Sequence, residues 1–580
     1  MTALRTDLRG RLPGYAVPSA IMVLGAIPLT TSGKVDQRAL PAPVFGETGY
    51  VAPESALEQL VAQVFAEVLH CDRVGVHDNF FDAGGTSLSA ATAVARLRSQ
   101  AGRELSVPDL FDAPTVAGLA AVLDRAAAPA GPAPGDLPRP DRIPLSPAQQ
   151  RMWFLNRFDP SALTENIPLV LRITGDLDVV AFSAALHTLV VRHESLRTIY
   201  PDSPQGPFQE IIPAADAALE LAVTDVGHTS MDAAIRAVTS VVFDVTAEIP
   251  VRAALLRDSD TRSHVFVLVL HHICADGLSV VTLAAQLADA YGALLSGREP
   301  DRTPVPVQYA DFAVWQCGRL DDPDGPATRE LAQWRDRLDG APPVIDLPTD
   351  RPRPAEPSGA GRRIDFHVDQ ALWARVTDFA GRRGVTPFMV AHTALAVLLG
   401  RIGDNHDVVI GTPIAGRDQA RLEGVVGMFV NMLALRTRID PGATGEESLA
   451  EARAAALHGF AHASVPFDRI VEGLDLPRTA AHHPVFQVAF SFQNLGPVTM
   501  TLPGAEVEVI DDDLLIAEFD LHLTLAETFP AAADSTGVMG QLVYATDLFD
   551  NSTATDLTER YVRLLGALIE FPDRPVGDLP

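Results

Sequence analysis

Apolar residues recur at helical spacing in the first part of the chain. From residue 57 to residue 69 they stand three or four positions apart, which predicts an amphipathic helix. A polar loop follows, a second helix is predicted to begin at Ser87 or Leu88, and a last helix begins at Thr115. These elements predict a small all-α bundle over residues 50–126.

A continuous apolar run in the middle of the chain has a different pattern. Val265–Leu270 are aliphatic or aromatic at every position, which predicts a strand buried on both faces. The run continues into two histidines, His271 and His272, and side chains alternate across a strand. We therefore expect His272 to face a substrate channel while His271 lies in the interior.

An aspartate and a glycine follow the two histidines in the predicted turn. A buried carboxylate is tolerated only when it is paired, so we expect Asp276 to bind an arginine that holds the turn. Arg192, Arg197 and Arg436 are the candidate partners, and the sequence does not choose among them. Gly277 allows the backbone to approach a ligand or a neighbouring residue closely.

Alanine, proline and glycine dominate residues 127–142, between these two regions. Such a composition leaves little to bury, and the prolines keep the backbone extended and semi-rigid, as in a linker. An extended segment of this length spans at most on the order of 60 Å. We expect it to let the small helical bundle move between sites.

Composition and charge narrow the class of protein. A chain of 580 residues is too long for one core, so three or more structural units are expected. The formal net charge of -29 argues against nucleic acid and anionic membrane surfaces as partners, because both bind clustered Lys and Arg. No stretch approaches the roughly 20 apolar residues of a membrane span. Widely spaced cysteines and the lack of a convincing signal peptide favour a reduced, cytoplasmic protein.

Lys34 is the only lysine among the 45 basic residues, which suggests that it is selected for its chemistry. It lies in Pro28–Pro41, which resembles the end of the adenylation domains of nonribosomal peptide synthetases, and Leu12–Pro18 resembles the preceding motif of that family. The resemblance implies that Lys34 contacts the carboxylate and phosphate of an adenylate, as a compact charge can. A surface lysine in a turn is the alternative. Residues 1–45 would be a C-terminal remnant that cannot activate an amino acid alone.

A glycine pair precedes a serine at a predicted helix start in Phe80–Leu88, which resembles the attachment site of peptidyl carrier proteins. Phe111–Thr115 resembles their later helix. The resemblance implies that Ser87 carries 4'-phosphopantetheine, added from coenzyme A by a phosphopantetheinyl transferase, and a helix N-terminus suits the phosphate. Two alternatives are a helix N-cap and a hydrolase elbow, which needs a glycine where this chain has Ser89.

From residue 144 onward, motifs in unbroken order resemble the condensation domains of nonribosomal peptide synthetases. The resemblance implies an α/β fold of two chloramphenicol acetyltransferase-like lobes, 143–318 and 319–578, with a tunnel that two pantetheine arms enter from opposite sides. The whole chain would be multidomain, with an all-α four-helix carrier bundle before this two-lobed domain. The motifs are His271–Gly277, which reads His-His-x-x-x-Asp-Gly, and Leu145–Leu155, Arg192–Thr198, Tyr309–Trp315, Val426–Asn431 and His483–Val488.

The chain departs from the common condensation pattern at three positions. Leu278 replaces the usual tryptophan after Asp-Gly, Phe312 replaces a frequent tyrosine, and Met432 stands where threonine is common. The opening motif resembles the subtype that takes an L-configured donor. Heterocyclisation enzymes carry Asp in place of the first histidine of the motif, so that activity is disfavoured.

The resemblance implies an enzyme that forms an amide bond. The amine of an amino acid on a downstream carrier domain would attack the thioester on Ser87, which belongs to a module with an upstream adenylation domain. His272 would act as a base or orient the amine, with His271, Asp276 and Gly277 completing the motif, and tethering would supply proximity. Two alternatives are epimerisation of the carrier-bound residue and a non-catalytic carrier and docking scaffold with an inert second domain.

No metal site is predicted. His272, Cys274 and Asp276 could bind an ion, but no ordered fourth ligand is visible. His458 and His462 have the spacing of a zinc protease helix without its glutamate, so packing or surface histidines are expected. Cys274 is expected to be a small buried hydrophobe rather than a nucleophile.

Overall fold

The structure is a computed structural model. It describes residues 50–128, 131–217, 219–226, 230–258, 263–403, 405–474, 479, 481–493, 500–510, 516–527 and 537–580. The adenylation-like segment predicted over residues 1–45, with Lys34, lies outside these ranges.

A four-helix bundle forms the first part of the described chain. Its core contains the buried rings of Phe65 and Phe80, whose centroids lie 4.7 Å apart. The predicted first, second and last helices are all present. In chain order the helices are α1 Ala56–Leu69, α2 Ser87–Ala101, α3 Val107–Asp112 and α4 Val116–Arg125.

The start of α2 follows the sequence prediction in position but not in capping. The helix begins at Ser87, yet Thr86 is its N-cap, because the Thr86 Oγ1 accepts a hydrogen bond from the Ser89 N–H at 3.1 Å. Ser87 therefore does not cap the helix, and the N-cap alternative for this serine is excluded. Gly85 must be a glycine, since a Cβ there would lie 2.3 Å from the Phe80 ring.

Two lobes, each built around a β-sheet, follow the linker. Their elements as far as the sixth strand are α5 Pro147–Phe158, β1 Asn166–Gly175, α6 Val179–Arg192, β2 Thr198–Ile199, β3 Glu210–Ile211, β4 Leu221–Asp225, α7 Met231–Thr239, β5 Val251–Arg257 and β6 Ser263–His271. The elements of the remaining chain are α8 Gly277–Leu295, α9 Tyr309–Leu320, α10 Pro326–Leu338, β7 Gly361–Asp369, α11 Gln370–Arg383, α12 Pro387–Ile402, β8 Asp407–Ile414, β9 Asn431–Arg438, α13 Gly445–Ala461, α14 Phe467–Gly473, β10 Val488–Gln493, β11 Ala505–Val509, β12 Leu521–Glu527, β13 Gly537–Ala545 and α15 Asn551–Glu570.

The first lobe contains a five-stranded sheet in the order β11-β1-β6-β5-β4. The predicted apolar run is its central strand β6, and Val265–Leu270 are all buried. Strand β6 is antiparallel to both β1 and β5, while β4 and β5 are parallel. Because β6 is covered on both faces, it holds the end that carries His271 in a fixed position.

The second lobe contains a six-stranded sheet in the order β7-β13-β12-β10-β8-β9. Strands β8, β10 and β12 are parallel neighbours, and β13 and β9 on either side run antiparallel to them. Helix α12 is buried at nearly every position from Phe388 to Gly400, as expected of a helix that is apolar all round. This sheet and its helices form a core distinct from that of the first lobe.

Two later segments return to the first lobe and tie the lobes together. Strand β11 pairs with β1 at the sheet edge. Residues 417–429, which we name the bridging segment, connect β8 to β9 and insert their apolar side chains into the first core. The buried members are Leu422, Val425, Val426, Met428 and Phe429.

The linker lies against the lobes in this structure. The Trp315 indole N–H donates to the Pro132 carbonyl at 2.8 Å, and Arg421 of the bridging segment donates to Asp136 at 2.6 Å. Arg139 donates to both carboxylate oxygens of Asp311, at 2.6 and 2.9 Å. The extended linker predicted from composition therefore has specific contacts with the lobes at Pro132, Asp136 and Arg139.

Helix α8 is long and apolar enough to span a membrane by length and composition. Its apolar side chains, among them Leu283 and Leu287, are buried in the first core instead, and the helix packs against α6. A core helix of a globular domain meets the same criteria.

Candidate active site

The two histidines at the end of β6 have different surroundings. His271 is only 3% exposed, and its Nδ1 accepts a hydrogen bond from the Ile273 N–H at 3.1 Å. Its ring also meets the edge of Phe243. Burial lowers the pKa of His271 to about 3, so the ring is neutral at pH 7. His271 thus lies in the interior, as the strand alternation predicts.

His272 is half-buried and faces the other way. Its backbone N–H donates to the Glu165 carbonyl at 2.7 Å, which extends the β1–β6 pairing by one position. Its Nδ1 is buried and has no hydrogen-bond partner in the described part of the chain. Burial lowers the pKa of His272 to about 4, although Asp276 opposes that effect. The ring is therefore neutral at pH 7.

Asp276 is fully buried and every one of its interactions holds the turn. It caps α8 by accepting from the Ser279 N–H at 2.9 Å, and the Phe429 N–H donates to it at 3.0 Å. The Arg417 guanidinium binds both carboxylate oxygens, at 2.8 and 2.9 Å, and lies 4.3 Å from the Phe429 ring centroid. The predicted buried pair with an arginine is therefore present.

None of the three arginines proposed from sequence pairs with Asp276, so that prediction was wrong. Arg192 pairs with Asp301, Arg197 donates to a backbone carbonyl, and Arg436 pairs with Asp407. Sequence reasoning missed the partner because Arg417 stands 141 positions from Asp276 and reaches it through the bridging segment.

The two residues near this aspartate have different surroundings, since Gly277 faces open space and Cys274 is fully buried. No protein atom of the described residues lies within 4 Å of where a Gly277 Cβ would be, so of the two expected close approaches the structure does not show that of a neighbouring residue. The open space leaves room for a ligand at the start of α8. Cys274 is fully buried, and burial raises the pKa of its thiol above its ordinary range, in keeping with a small hydrophobe.

A group of charged side chains beside His272 was not predicted from sequence. Arg151 of α5 lies 3.6 Å from Asp468 of α14 and interacts electrostatically with His272, Glu165 and Glu518. Glu518 is exposed by surface area, yet the surrounding protein raises its pKa. Glu518 also lines a cavity of the second lobe, together with His483 and Asp520.

Pairing across the lobes brings these charged side chains together. Glu165 immediately precedes β1, Asp468 and Arg151 stand on helices, and Glu518 lies three residues before the start of β12. No local sequence pattern links such positions. The described residues contain no group of three or more His, Cys, Asp or Glu side chains arranged to hold a metal ion.

The carrier bundle contacts the second lobe around Ser87. The Ser87 Oγ lies 3.0 Å from the Thr386 Oγ1 at the start of α12. Arg96 of α2 donates through two nitrogens to Glu423 of the bridging segment, at 2.9 Å each. Arg453 lies 3.7 Å from Asp112 on the opposite side of this contact. The bridging segment therefore contacts both the carrier, through Glu423, and Asp276 of the turn after His272.

Ser87 also fits the group that carrier serines hold. It stands at the first turn of a 15-residue helix, after a glycine pair that brings the loop tightly over Phe80. The free backbone N–H groups of a helix start favour a phosphate, and Ser87 has no capping role that would compete. A carrier bundle joined to a two-lobed α/β domain with a His-His-x-x-x-Asp-Gly turn defines a carrier and condensation unit.

This chain belongs to the condensation domain family, whose profile matches residues 140–580. The phosphopantetheine attachment site profile matches residues 59–123, so 4'-phosphopantetheine is the cofactor of the carrier region. The predicted fold class, a helical carrier followed by an α/β condensation domain, is confirmed.

The similar proteins are nonribosomal peptide synthetases. A dimodular nonribosomal peptide synthase of Bacillus subtilis (strain 168) is 41% identical over 580 residues, which cover 99% of this chain and 24% of that protein. A probable non-canonical nonribosomal peptide synthetase of Salinispora arenicola (strain CNS-205), CymA, is 39% identical over 98% of this chain and 7% of its own length. The chain therefore spans a quarter or less of these relatives.

Solved structures resemble the two-lobed region. The X-domain in a complex with OxyB from teicoplanin biosynthesis is 33% identical, with a TM-score of 0.72 over 78% of this chain and 99% of that one. The condensation domain of the Monacolin K polyketide synthase MokA is 21% identical, with a TM-score of 0.63 over 75% of this chain and 98% of that one, and so shows the fold alone.

Proposed function

We propose that this chain forms an amide bond between two carrier-bound substrates in a nonribosomal peptide synthetase. An aminoacyl or peptidyl donor, of L configuration, is held as a thioester on the phosphopantetheine of Ser87. The acceptor is an L-amino acid on a downstream carrier domain. The observation that carries this proposal is the complete turn, in which Arg417 holds Asp276 and His272 has an unpartnered, buried Nδ1.

The reaction needs a nucleophilic amine, a thioester and the transfer of protons. The amine nitrogen attacks the thioester carbonyl carbon, a C–N bond forms, the C–S bond breaks, and the pantetheine thiolate leaves and takes up a proton. His272 positions the amine through its half-buried ring and is neutral at pH 7, so it does not repel an ammonium. Tethering of both substrates supplies proximity.

The carrier contact supports the donor assignment. Ser87 meets Thr386 directly, so a phosphopantetheine arm on Ser87 starts at the surface of the condensation domain. The side chains of the bidentate Arg96–Glu423 pair are 29% and 39% exposed. An ion pair that is exposed to this extent adds little affinity, but it favours one orientation of the two surfaces. The contacts of Pro132 and Asp136 in the linker shorten the part of it that can move. The carrier therefore stays near the surface that contains Thr386 and Glu423.

The remaining parts of the proposal concern the assembly line. Residues 1–45 belong to the C-terminal end of an adenylation domain that loads Ser87, and a phosphopantetheinyl transferase adds the arm beforehand. The protein acts in the cytoplasm, without nucleic acid or membrane partners. The free cysteines at 71, 274 and 317 fit a reducing compartment.

A second candidate is a non-catalytic docking scaffold. The likeness to an X-domain that was solved in complex with OxyB favours it, since that protein forms a complex with another protein. In this case the carrier would hold a substrate at Ser87 while the two-lobed domain binds an enzyme that acts on it. The scaffold predicts loading of Ser87 without formation of an amide.

Intact mass spectrometry tests the two candidates. The chain is treated with a phosphopantetheinyl transferase and an aminoacyl-coenzyme A, and then mixed with a separately loaded acceptor carrier. A dipeptide on the acceptor that depends on both Ser87 and His272 supports condensation. Loading without transfer, for a panel of donors and acceptors, contradicts condensation and supports the scaffold.

A further inference from the structure

Glu165 lies directly opposite His272 across the central strand pair. The register pairs Asn166 with His271, and the next position pairs Glu165 with His272, whose N–H donates to the Glu165 carbonyl at 2.7 Å. Side chains directly opposite each other in an antiparallel pair point to the same face, with Cβ atoms about 5 Å apart. The Glu165 carboxylate therefore shares the face of the sheet toward which His272 points.

The Glu165 carboxylate is available to a ligand. It makes no hydrogen bond with any residue that the structure describes, and it is half-buried rather than exposed. The nearest cation, Arg151, forms its ion pair with Asp468 instead. The ring of His272, which is half-buried and neutral at pH 7, lies on the same face.

The charges that face Glu165 favour a cationic ligand. Arg151 of α5 and the carboxylates of Asp468 and Glu518 form the described surroundings, together with the neutral rings of His272 and His483. Including Glu165, three carboxylates stand against one guanidinium when all are ionised. Such a site attracts an ammonium group more strongly than a neutral amine.

An incoming ammonium must lose two protons to become an amide nitrogen. One proton ends on the pantetheine thiolate that leaves when the C–S bond breaks. The second proton needs another acceptor before it reaches solvent. His272, with a pKa lowered to about 4, binds a proton weakly at neutral pH.

We propose that Glu165 is a catalytic residue of this condensation, whose carboxylate binds the acceptor ammonium and takes up the proton that does not go to the thiolate. His272 orients the resulting amine. The inference rests on the proposed function and assigns the proton transfer to a different side chain from the motif histidine.

The acidity of Glu165 suits this role. Burial raises its pKa to about 7, with Arg151 acting against the rise and Glu518 adding to it. A proton acceptor is most effective when its pKa lies near the working pH, because it is then both ionised and basic. Protonated Glu165 returns its proton to solvent directly, because its side chain is only half-buried.

The test compares Glu165→Gln with the unchanged chain in the dipeptide assay, from pH 6 to pH 9. We expect the rate at pH 8 to fall by about 100-fold, at the low end of the effect of a positioned acid or base, and the rise near pH 7 to disappear. Glu165→Asp should retain part of the rate. Glu508→Gln, which removes an exposed carboxylate bound to Arg172, is the matched control and should leave the profile unchanged.

Thermal unfolding and the split between kcat and KM separate the other outcomes. An unchanged rate and pH profile in Glu165→Gln, or a rise in acceptor KM alone, overturns the catalytic role. A fall in activity that follows a fall in melting temperature, with no change in the shape of the profile, also overturns it. If the unchanged chain loads Ser87 and forms no amide, the proposed function fails instead, so the two failures are distinguishable.

Discussion

Arg417 and Asp276 form a bidentate ion pair that joins the two lobes, with N–O distances of 2.8 and 2.9 Å. Asp276 is fully buried and the Arg417 side chain is only 9% exposed. A buried pair of this kind adds little relative to an apolar replacement, but removing one partner leaves a charge without compensation. Its importance is positional, because it fixes the turn after His272 to the bridging segment.

Arg417→Met should therefore destabilise the chain by about 3 to 5 kcal/mol, the usual cost of breaking a buried pair. Amide formation should fall as well, because the turn after His272 loses its anchor. Asp276→Asn should act in the same direction, since it leaves Arg417 without its counter-charge. Chemical denaturation and the dipeptide assay measure the two effects.

The exposed pair of Arg172 and Glu508 provides the control for that experiment, and Arg172→Met should change stability by less than about 1 kcal/mol. Unchanged stability in Asp276→Asn would contradict the buried-pair argument. Loss of activity without loss of stability would assign Asp276 a chemical role instead.

Ser87→Ala should abolish the mass increase caused by a phosphopantetheinyl transferase and leave the bundle folded. The Ser87 hydroxyl is not the cap of α2, because Thr86 caps it, so its removal costs no helix stability beyond a weak contact with Thr386. Ser99→Ala, on the exposed face of the same helix, should load normally. A loaded Ser87→Ala chain would show that another residue carries the arm.

Reversal of the charges at the carrier contact tests whether the docked pose is the productive one. Arg96→Glu should slow transfer from Ser87 several-fold at low salt, because it faces Glu423 with a like charge. The combined change Arg96→Glu with Glu423→Arg should restore most of the rate. Transfer from Ser87 followed at low and high salt makes the measurement, and screening at high salt should narrow the difference.

Arg125→Glu is the matched reversal, since that arginine donates to a carbonyl of its own helix. The docked pose would be refuted as the donor pose if Arg96→Glu and Arg125→Glu had equal effects, or if the double reversal were no faster than Arg96→Glu alone.

The parts of the site that could be predicted from sequence are those that local pattern determines. The apolar run of β6 determined the opposite directions of His271 and His272, and the glycine pair with Ser87 marked a helix start. The Arg417 partner of Asp276 and the place of Glu165 opposite His272 depend on pairings between distant segments. No periodicity contains that information. The open space at Gly277 likewise depends on how the two lobes pack, which the local sequence does not determine.

Buried histidines should make the protein less stable in mild acid. His392 is 1% exposed, its Nε2 has no hydrogen-bond partner among the described residues, and burial lowers its pKa to about 4. The unfolded chain has a histidine pKa near 6.5, so between about pH 6.5 and pH 4 it binds more protons than the folded chain. The free energy of unfolding contributed by His392 is therefore present above that window and is lost as the pH falls through it.

Denaturation of His392→Leu at several pH values checks this expectation. The unfolding free energy should change less with pH in His392→Leu than in the unchanged chain. The difference in that change, accumulated between pH 6.5 and pH 4, should be up to about 3 kcal/mol. His187→Leu, at an exposed position, should keep the original slope. Equal slopes in all three proteins would exclude His392 as a source of acid sensitivity.

Two neighbours of Glu165 should shift the pH dependence of condensation in opposite directions. Glu518 raises the pKa of Glu165 and Arg151 lowers it. Glu518→Gln should therefore move the rise in rate to lower pH, because Glu165 ionises more readily without a nearby like charge. Arg151→Gln should move the rise to higher pH for the converse reason. The dipeptide assay from pH 6 to pH 9 measures both shifts, and Glu508→Gln should cause neither. Shifts in the same direction would show that a group other than Glu165 titrates, because the two charges act oppositely on the pKa of Glu165.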